Sequence, residues 1–410
     1  MSKVNLLYLC LFSSVLSFAE GKTIDKKKVT VKDAKQTTTQ AKEEKTEPKE
    51  EDKSKLTFSG YIDSYYMGNL NNPASRSNTG RSGSARAFDI RSGQFSLGLV
   101  QTKMQYSTEK SDVVVDLTFG PNADLGNYGN LIGPLGRGTT ALAIKQAYFN
   151  WKASSKFTLT AGQFGTHIGY EVIDAPINYH YSLSNLFNNG PFYHIGVKGQ
   201  YAFSDKASLM VGLVNNVDNL NDNNRAKALI AQLFFSPVAG WNVYLNAITS
   251  NEANVKSNGK DSTGNYSLFD LTTSYQITPK FLLGLNAAYG SQTGDYQGAG
   301  DVGKSKTWGG AALYGVYTVS DAFSLGLRYE TFDNKKAARG LRYTNDAGNL
   351  VGVSVNSLTL TGTFTVADSH LFIKPEFRVD TYDQNFFEDD KGNFSKTSQS
   401  TVGLAFIYKF

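Results

Sequence analysis

From residue 56 to the C-terminus, large apolar residues recur at every second position. The last segment shows it best: Val402, Leu404, Phe406, Tyr408 and Phe410 alternate with Gly403, Ala405, Ile407 and Lys409, and only Ile407 breaks the pattern. A period of two gives a strand with one apolar face. The same texture predicts sixteen strands, at 56–70, 93–108, 112–122, 142–153, 157–168, 192–203, 207–217, 226–236, 241–251, 266–278, 281–292, 306–319, 323–333, 354–367, 370–383 and 397–410.

The connectors alternate short and long without exception. Ser154-Ser155, Ser204-Asp205-Lys206, Pro279-Lys280, Ser320-Asp321-Ala322 and Asp368-Ser369 are short. The segments 71–91, 123–141, 169–191, 252–265 and 384–395 are long and rich in Gly, Asn and Asp. Short turns at one end and long loops at the other are the asymmetry of an outer-membrane barrel. A β-sandwich gives no reason for it. The even count puts both barrel ends on the short-turn, periplasmic side. The fold predicted is therefore all-β: a 16-stranded antiparallel transmembrane β-barrel. Aromatics fall where girdles belong. Trp151, Phe157, Phe203, Phe235, Trp241, Phe281, Phe323, Tyr408 and Phe410 lie near short turns, and Tyr66, Tyr193, Tyr289 and Trp308 near long loops. Pro375 lies inside a predicted strand, where it removes a ladder donor, so a bulge or a misassigned strand is expected there.

Composition supports the same picture. Of 410 residues, Tyr (23), Phe (26) and Gly (39) are abundant and Pro (9) is scarce. Past the N-terminus no apolar run approaches the roughly 18 residues of a transmembrane helix. Residues 1–19 read as a secretory signal: Lys3, an apolar run from Val4, then Ser17-Phe18-Ala19. The one cysteine, Cys10, lies within it, so no disulfide or thiolate chemistry is expected in the exported chain. Residues 20–55 hold many Lys and Glu and no aromatic residue, which predicts a disordered periplasmic tail. The domain boundaries expected are thus 1–19, 20–55 and 56–410. The net charge of +5 is spread along the chain, and no nucleic-acid partner is expected.

Period two also assigns faces. A charge facing mid-membrane lipid costs on the order of 2–4 kcal/mol for Arg or Lys. With Leu371, Ile373, Phe377 and Val379 toward lipid, Lys374, Glu376, Arg378 and Asp380 face the lumen. Phe323, Leu325, Leu327 and Tyr329 outside leave Arg328 and Glu330 inside. Tyr193, Ile195, Val197 and Tyr201 outside leave His194 and Lys198 inside. Tyr61, Asp63 and Asp116 complete the inward set. Such mixed charges either set a transverse field or brace the wall as ion pairs.

Catalytic and metal chemistry find little support. His167, His180, His194 and His370 have no outward Ser partner, and no His or Cys spacing suggests a metal site. Asp218, Asn221, Asp222 and Asn224 suit a turn better than a Ca²⁺ site. No cofactor is expected.

The segments Phe58–Tyr66, Gln94–Leu97, Asp116–Pro121, Lys145–Tyr148, Ala161–Ile173 and Pro191–Val197 resemble the β-barrel porin-2 (OmpL-like) family of outer-membrane proteins. The match is densest over 57–240 and strongest over 161–197. The resemblance implies an outer-membrane porin passing small hydrophilic solutes by passive diffusion. The third long loop, here Gly169–Gly190, is the usual place for a constriction in porins that this chain resembles, with candidates Glu171, Asp174, Asn178, Tyr179, His180 and Asn185; the alternative is an extracellular loop packed over the rim. The loop's apolar residues, among them Val172, Ile173 and Leu186, would prefer a wall to open water. The family pattern has an Arg after the Tyr-Ser pair, where this chain has Leu183. Alternatives are a substrate-specific channel, a plugged barrel acting as an adhesin or surface anchor, and a soluble secreted β-protein. Expected partners are outer-membrane lipid, small hydrophilic solutes and, through the C-terminal strand, the barrel-assembly machinery. A homotrimer would need a flat outer-wall patch that the sequence does not reveal.

Overall fold

The structure is a computed structural model describing residues 54–126, 143–222, 224–251, 264–293 and 305–410. The chain divides into two units, Met1–Ser54 and Lys55–Phe410. The expected signal and all but the last two residues of the expected tail lie outside the described residues, and Lys55 already opens the first strand.

Twenty strands form among the described residues. The first seven are β1 (Lys55–Asn69), β2 (Phe95–Ser107), β3 (Ser111–Phe119), β4 (Ile144–Lys152), β5 (Phe157–Gly165), β6 (Tyr193–Ser204) and β7 (Ala207–Val214). Next come β8 (Ala228–Phe235), β9 (Trp241–Asn251), β10 (Asn265–Thr278), β11 (Phe281–Gln292), β12 (Lys306–Ser320) and β13 (Phe323–Asp333). The last seven are β14 (Arg342–Thr344), β15 (Leu350–Gly352), β16 (Ser354–Val366), β17 (Leu371–Tyr382), β18 (Phe387–Glu388), β19 (Phe394–Lys396) and β20 (Ser398–Lys409). Sixteen close into one antiparallel barrel, each beside its neighbour in sequence; β14–β15 and β18–β19 are hairpins within long loops. β20 returns to β1, from Tyr61 opposite Lys409 to Asn69 opposite Thr401. Closure leaves no unpaired edge in lipid, which a membrane requires.

Each predicted segment overlaps one barrel strand. The short-turn ends agree best, and β3, β5 and β7 stop three residues early at their long-loop ends. Pro375 produces neither a bulge nor a broken strand. The β16–β17 ladder skips 362–363, and its register is the same on both sides of the gap, Thr361 opposite Glu376 and Phe364 opposite Ile373. Gly362 faces the ring and leaves room for it.

Burial fixes the faces. Leu327 is 47% exposed and Arg328 is fully buried, although they are adjacent. The exposed apolar side chains form the lipid-facing wall, and the charges point inward. The lumen is less polar than the alternation suggested. Ile230, Ile248, Leu268, Tyr266 and Phe332 face inward and form one apolar cluster with loop residues Ile168, Tyr170, Leu186 and Leu341. Trp308 belongs to that cluster, so it is not a girdle residue. Tyr193, expected on the outer wall, is also buried, packed with Phe88, Leu183, Phe187 and Phe192 under the loops. Tyr66 and Tyr289 remain exposed at the long-loop end.

Leu327 tests the assignment. Leu327→Arg puts a cation in lipid at mid-strand and is expected to lower barrel stability by about 2–4 kcal/mol, read by urea unfolding in lipid.

Candidate functional site

The third long loop, 166–192, crosses the lumen and is held against most of the wall. It leaves β5 along the β8–β12 side. His167 Nε2 lies 3.1 Å from the Ala247 carbonyl, and the Gln232 amide donates to the His167 carbonyl. The Gly169 N–H donates to Asp270 at 3.1 Å. Gly169 has φ +94°, a conformation that favours glycine. Tyr170 then stacks on Tyr314, ring centres 4.4 Å apart. Gly284 makes that possible, because a Cβ there would overlap the Tyr170 hydroxyl.

The loop next meets the charged wall of β13, β16 and β17. Glu171 pairs with Arg328, and its second oxygen accepts the Ser184 N–H. Lys374 donates to the Ala175 and Asn178 carbonyls. Glu376 accepts from Tyr181 N–H (2.7 Å) and Ser182 N–H (3.0 Å). Arg328 donates to the Ser182 carbonyl and Arg378 to the Leu183 carbonyl. Glu330 accepts the N–H groups of Asn185 and Leu186, plus the Asn185 amide. His180 Nδ1 lies 2.7 Å from the Thr361 hydroxyl. Wall anions thus take loop N–H groups and wall cations take loop C=O groups. At the position where the resemblance implied a loop Arg, two wall guanidinium groups bond the backbone instead.

The remaining contacts reach β1 to β4. Asp174 pairs with Lys145 at 2.5 Å and accepts from Gln101. Lys145 also lies 3.4 Å from Asp116, which accepts from Gln101 and Gln146. The Tyr181 hydroxyl donates to Asp63 at 2.7 Å, and Asp63 also takes the Leu99 N–H. Tyr61 is buried in the same region. Asn178 bonds its own loop at Val172, and Tyr179 packs against the apolar cluster. His194 lies beside the Thr166 hydroxyl, and Lys198 sits 4.4 Å above the Phe164 ring.

Lys145, Gln101, Gln146 and Tyr181 were not among the expected site residues, and neither were two residues of the first long loop. Arg86 and Asp89, from the first long loop, pair with each other, and Arg86 also pairs with Asp380 at 2.8 Å. Asp380 in turn holds Arg378. Opposite charges three residues apart in a 70–94 loop were the available signal.

Asp218, outside the barrel strands, accepts the Phe192 and Tyr193 N–H groups, and Asp222 pairs with Lys227. Burial pushes the Asp218 carboxyl up from 3.8 to about 7, against the two N–H groups and the nearby Arg339. The folded barrel holds this proton over a range where the unfolded chain releases it. The contribution to stability is full below the unfolded value, falls as pH rises, and is lost once pH passes about 7.

Two outcomes are expected. Asp218→Asn should remove the downward contribution of this carboxyl, so that folded-barrel stability falls less with rising pH across that window than in the unsubstituted protein, read from heat-modified mobility at a series of pH values. Glu171→Gln leaves Arg328 buried without its carboxylate and should cost about 3–5 kcal/mol, seen as a lower urea midpoint and new protease sensitivity within 171–190.

The fold resembles solved outer-membrane channels. The DcaP channel of Acinetobacter baumannii matches with a TM-score of 0.56 at 12% identity, over 87% of this chain and 97% of that one. The anion-selective porin from Comamonas acidovorans matches with 0.55 at 9%, over 87% and 100%. The trimer form of OmpT from Vibrio cholerae matches with 0.53 at 12%, over 87% and 99%. At such identities the likeness is one of fold. No curated protein matches the chain as a relative. The family model described as "Putative beta-barrel porin-2, OmpL-like" matches residues 55–410.

Proposed function

The chain belongs to this porin family and is an outer-membrane barrel for passive diffusion; we propose that it passes small hydrophilic solutes and that the docked 166–192 loop sets what passes. The observation that carries this is the loop's backbone bonding to Arg328, Glu330, Lys374, Glu376 and Arg378. Such a loop is a fixed obstruction, because undocking it would strand buried charges. The constriction residues are those that hold it: Glu171, Asp174, His180 and Asn185 from the loop. No catalytic step is proposed.

A second reading has its own support. At mid-height on β9–β17 the inward side chains Asn246, Asp270, Asn286, Tyr314, Arg328, Thr359 and Glu376 are all buried. A barrel filled further in the same way would be a plugged surface anchor.

Planar-bilayer recording of the heat-modifiable, detergent-purified protein separates the two. Stepwise ohmic openings are expected. Replacing 175–183 by a short Gly-Ser link should enlarge the unit step, provided the variant keeps its heat-modified mobility. A folded barrel that never conducts would favour the plug. The trimer form of V. cholerae OmpT makes a homotrimer the first oligomer to seek, by cross-linking in native membranes.

A further inference from the structure

The loop does not cover the whole wall, and the part it leaves has one sign of free charge. On β2, β4 and β6 the inward Lys103, Gln146, Gly196, Lys198 and Gln200 are half-buried, whereas at mid-height on β9–β17 Asn246, Asp270, Asn286, Tyr314, Arg328 and Thr359 are buried. A cavity of about 30 Å³ lies on this side, lined by Leu99, Lys145, Gln163, Ile173 and Tyr193 among others. It holds about one water. The acids here are spoken for: Asp116 and Asp174 share Lys145 and take glutamine amides. Asp63 is buried on Tyr181 and Leu99. Nearer the short turns, Lys152 and Asp112 neutralise each other. Lys103 and Lys198 have no ion pair among the described residues. Three ammonium groups, Lys103, Lys145 and Lys198, therefore share this strip with Asp63, Asp116 and Asp174, and of the three only Lys145 is held in an ion pair, Lys198 resting over the Phe164 ring.

Resting on the porin reading above, we infer that the passage is eccentric, running along the β2–β6 wall past the Asp174–Lys145 contact, and that Lys103 and Lys198 make it prefer small anions. Fixed ammonium groups beside a narrow water path raise the local anion concentration and repel cations. The preference strengthens as salt is diluted, because screening weakens.

The test is the reversal potential of single channels in a potassium chloride gradient. The expected chloride-to-potassium permeability ratio exceeds unity and grows at lower salt. In Lys103→Glu and Lys198→Glu it falls to unity or below. A conducting channel that prefers potassium, or whose ratio ignores both substitutions, overturns this inference and leaves the porin reading intact. A folded barrel without conductance overturns both. If the Glu variants do not fold, Lys103→Cys and Lys198→Cys serve, since Cys10 is the one native cysteine. A negatively charged thiol reagent should then lower the anion preference; no change in current or selectivity would overturn the placement of the passage.

Discussion

A polypeptide crossing a barrel lumen has to satisfy its own backbone. Buried N–H and C=O groups without partners are costly. The 166–192 loop has little regular structure to supply them; its one helix is Asn185–Asn189. The wall supplies them instead. Glu330 and Glu376 take its N–H groups, and Arg328, Lys374 and Arg378 take its C=O groups. Hydrogen bonds to charged groups contribute roughly 1.5–3 kcal/mol each, so a handful outweighs the entropy of ordering a few residues, about 1–2 kcal/mol apiece. The wall charges are in turn tolerable in a buried place only because the loop is there. Each side removes the other's desolvation penalty.

This reciprocity decides between the two roles open to mixed lumen charges. On β13, β16 and β17 the charges brace. Arg328, Arg378, Glu330 and Asp380 are nearly inaccessible to water, so they do not act as a screen of fixed charge along a water path. On the opposite side Lys103 and Lys198 remain half-exposed at mid-strand. Counting charged residues on inward faces would have given a balanced lumen. Asking which of them the loop consumes gives an unbalanced one.

The strands were legible because lipid imposes a strict rule on one face. Leu325, Leu327 and Tyr329 must point out, which forces Arg328 and Glu330 in, and no tertiary detail changes that. The inward face obeys no such rule. Ile230, Ile248, Leu268 and Trp308 point inward because loops cover them, and that cover depends on contacts far apart in sequence. Trp308 and Tyr193 were misread for this reason. The constriction candidates were found as a loop with apolar residues needing a wall. Their partners were not identifiable, since Glu171 with Arg328 or Arg86 with Asp380 joins segments 157 to about 290 residues apart with no local mark of pairing.

Those distant pairs also explain why the loops dock where they do. The barrel closes where β20 meets β1, the contact between the last strand and the first. The inward loops bridge that seam. Tyr181 bonds Asp63 on β1 while its own N–H bonds Glu376 on β17. Arg86, anchored in the loop after β1, reaches Asp380 on β17 and Thr401 on β20. None of these sites exists until the first and last strands are together, so docking and closure are coupled. A closed barrel selects the docked loop, and the docked loop ties β1 to β17 across β20. The same contacts that hold the seam therefore narrow the lumen, and the passage is displaced to the side the seam does not need.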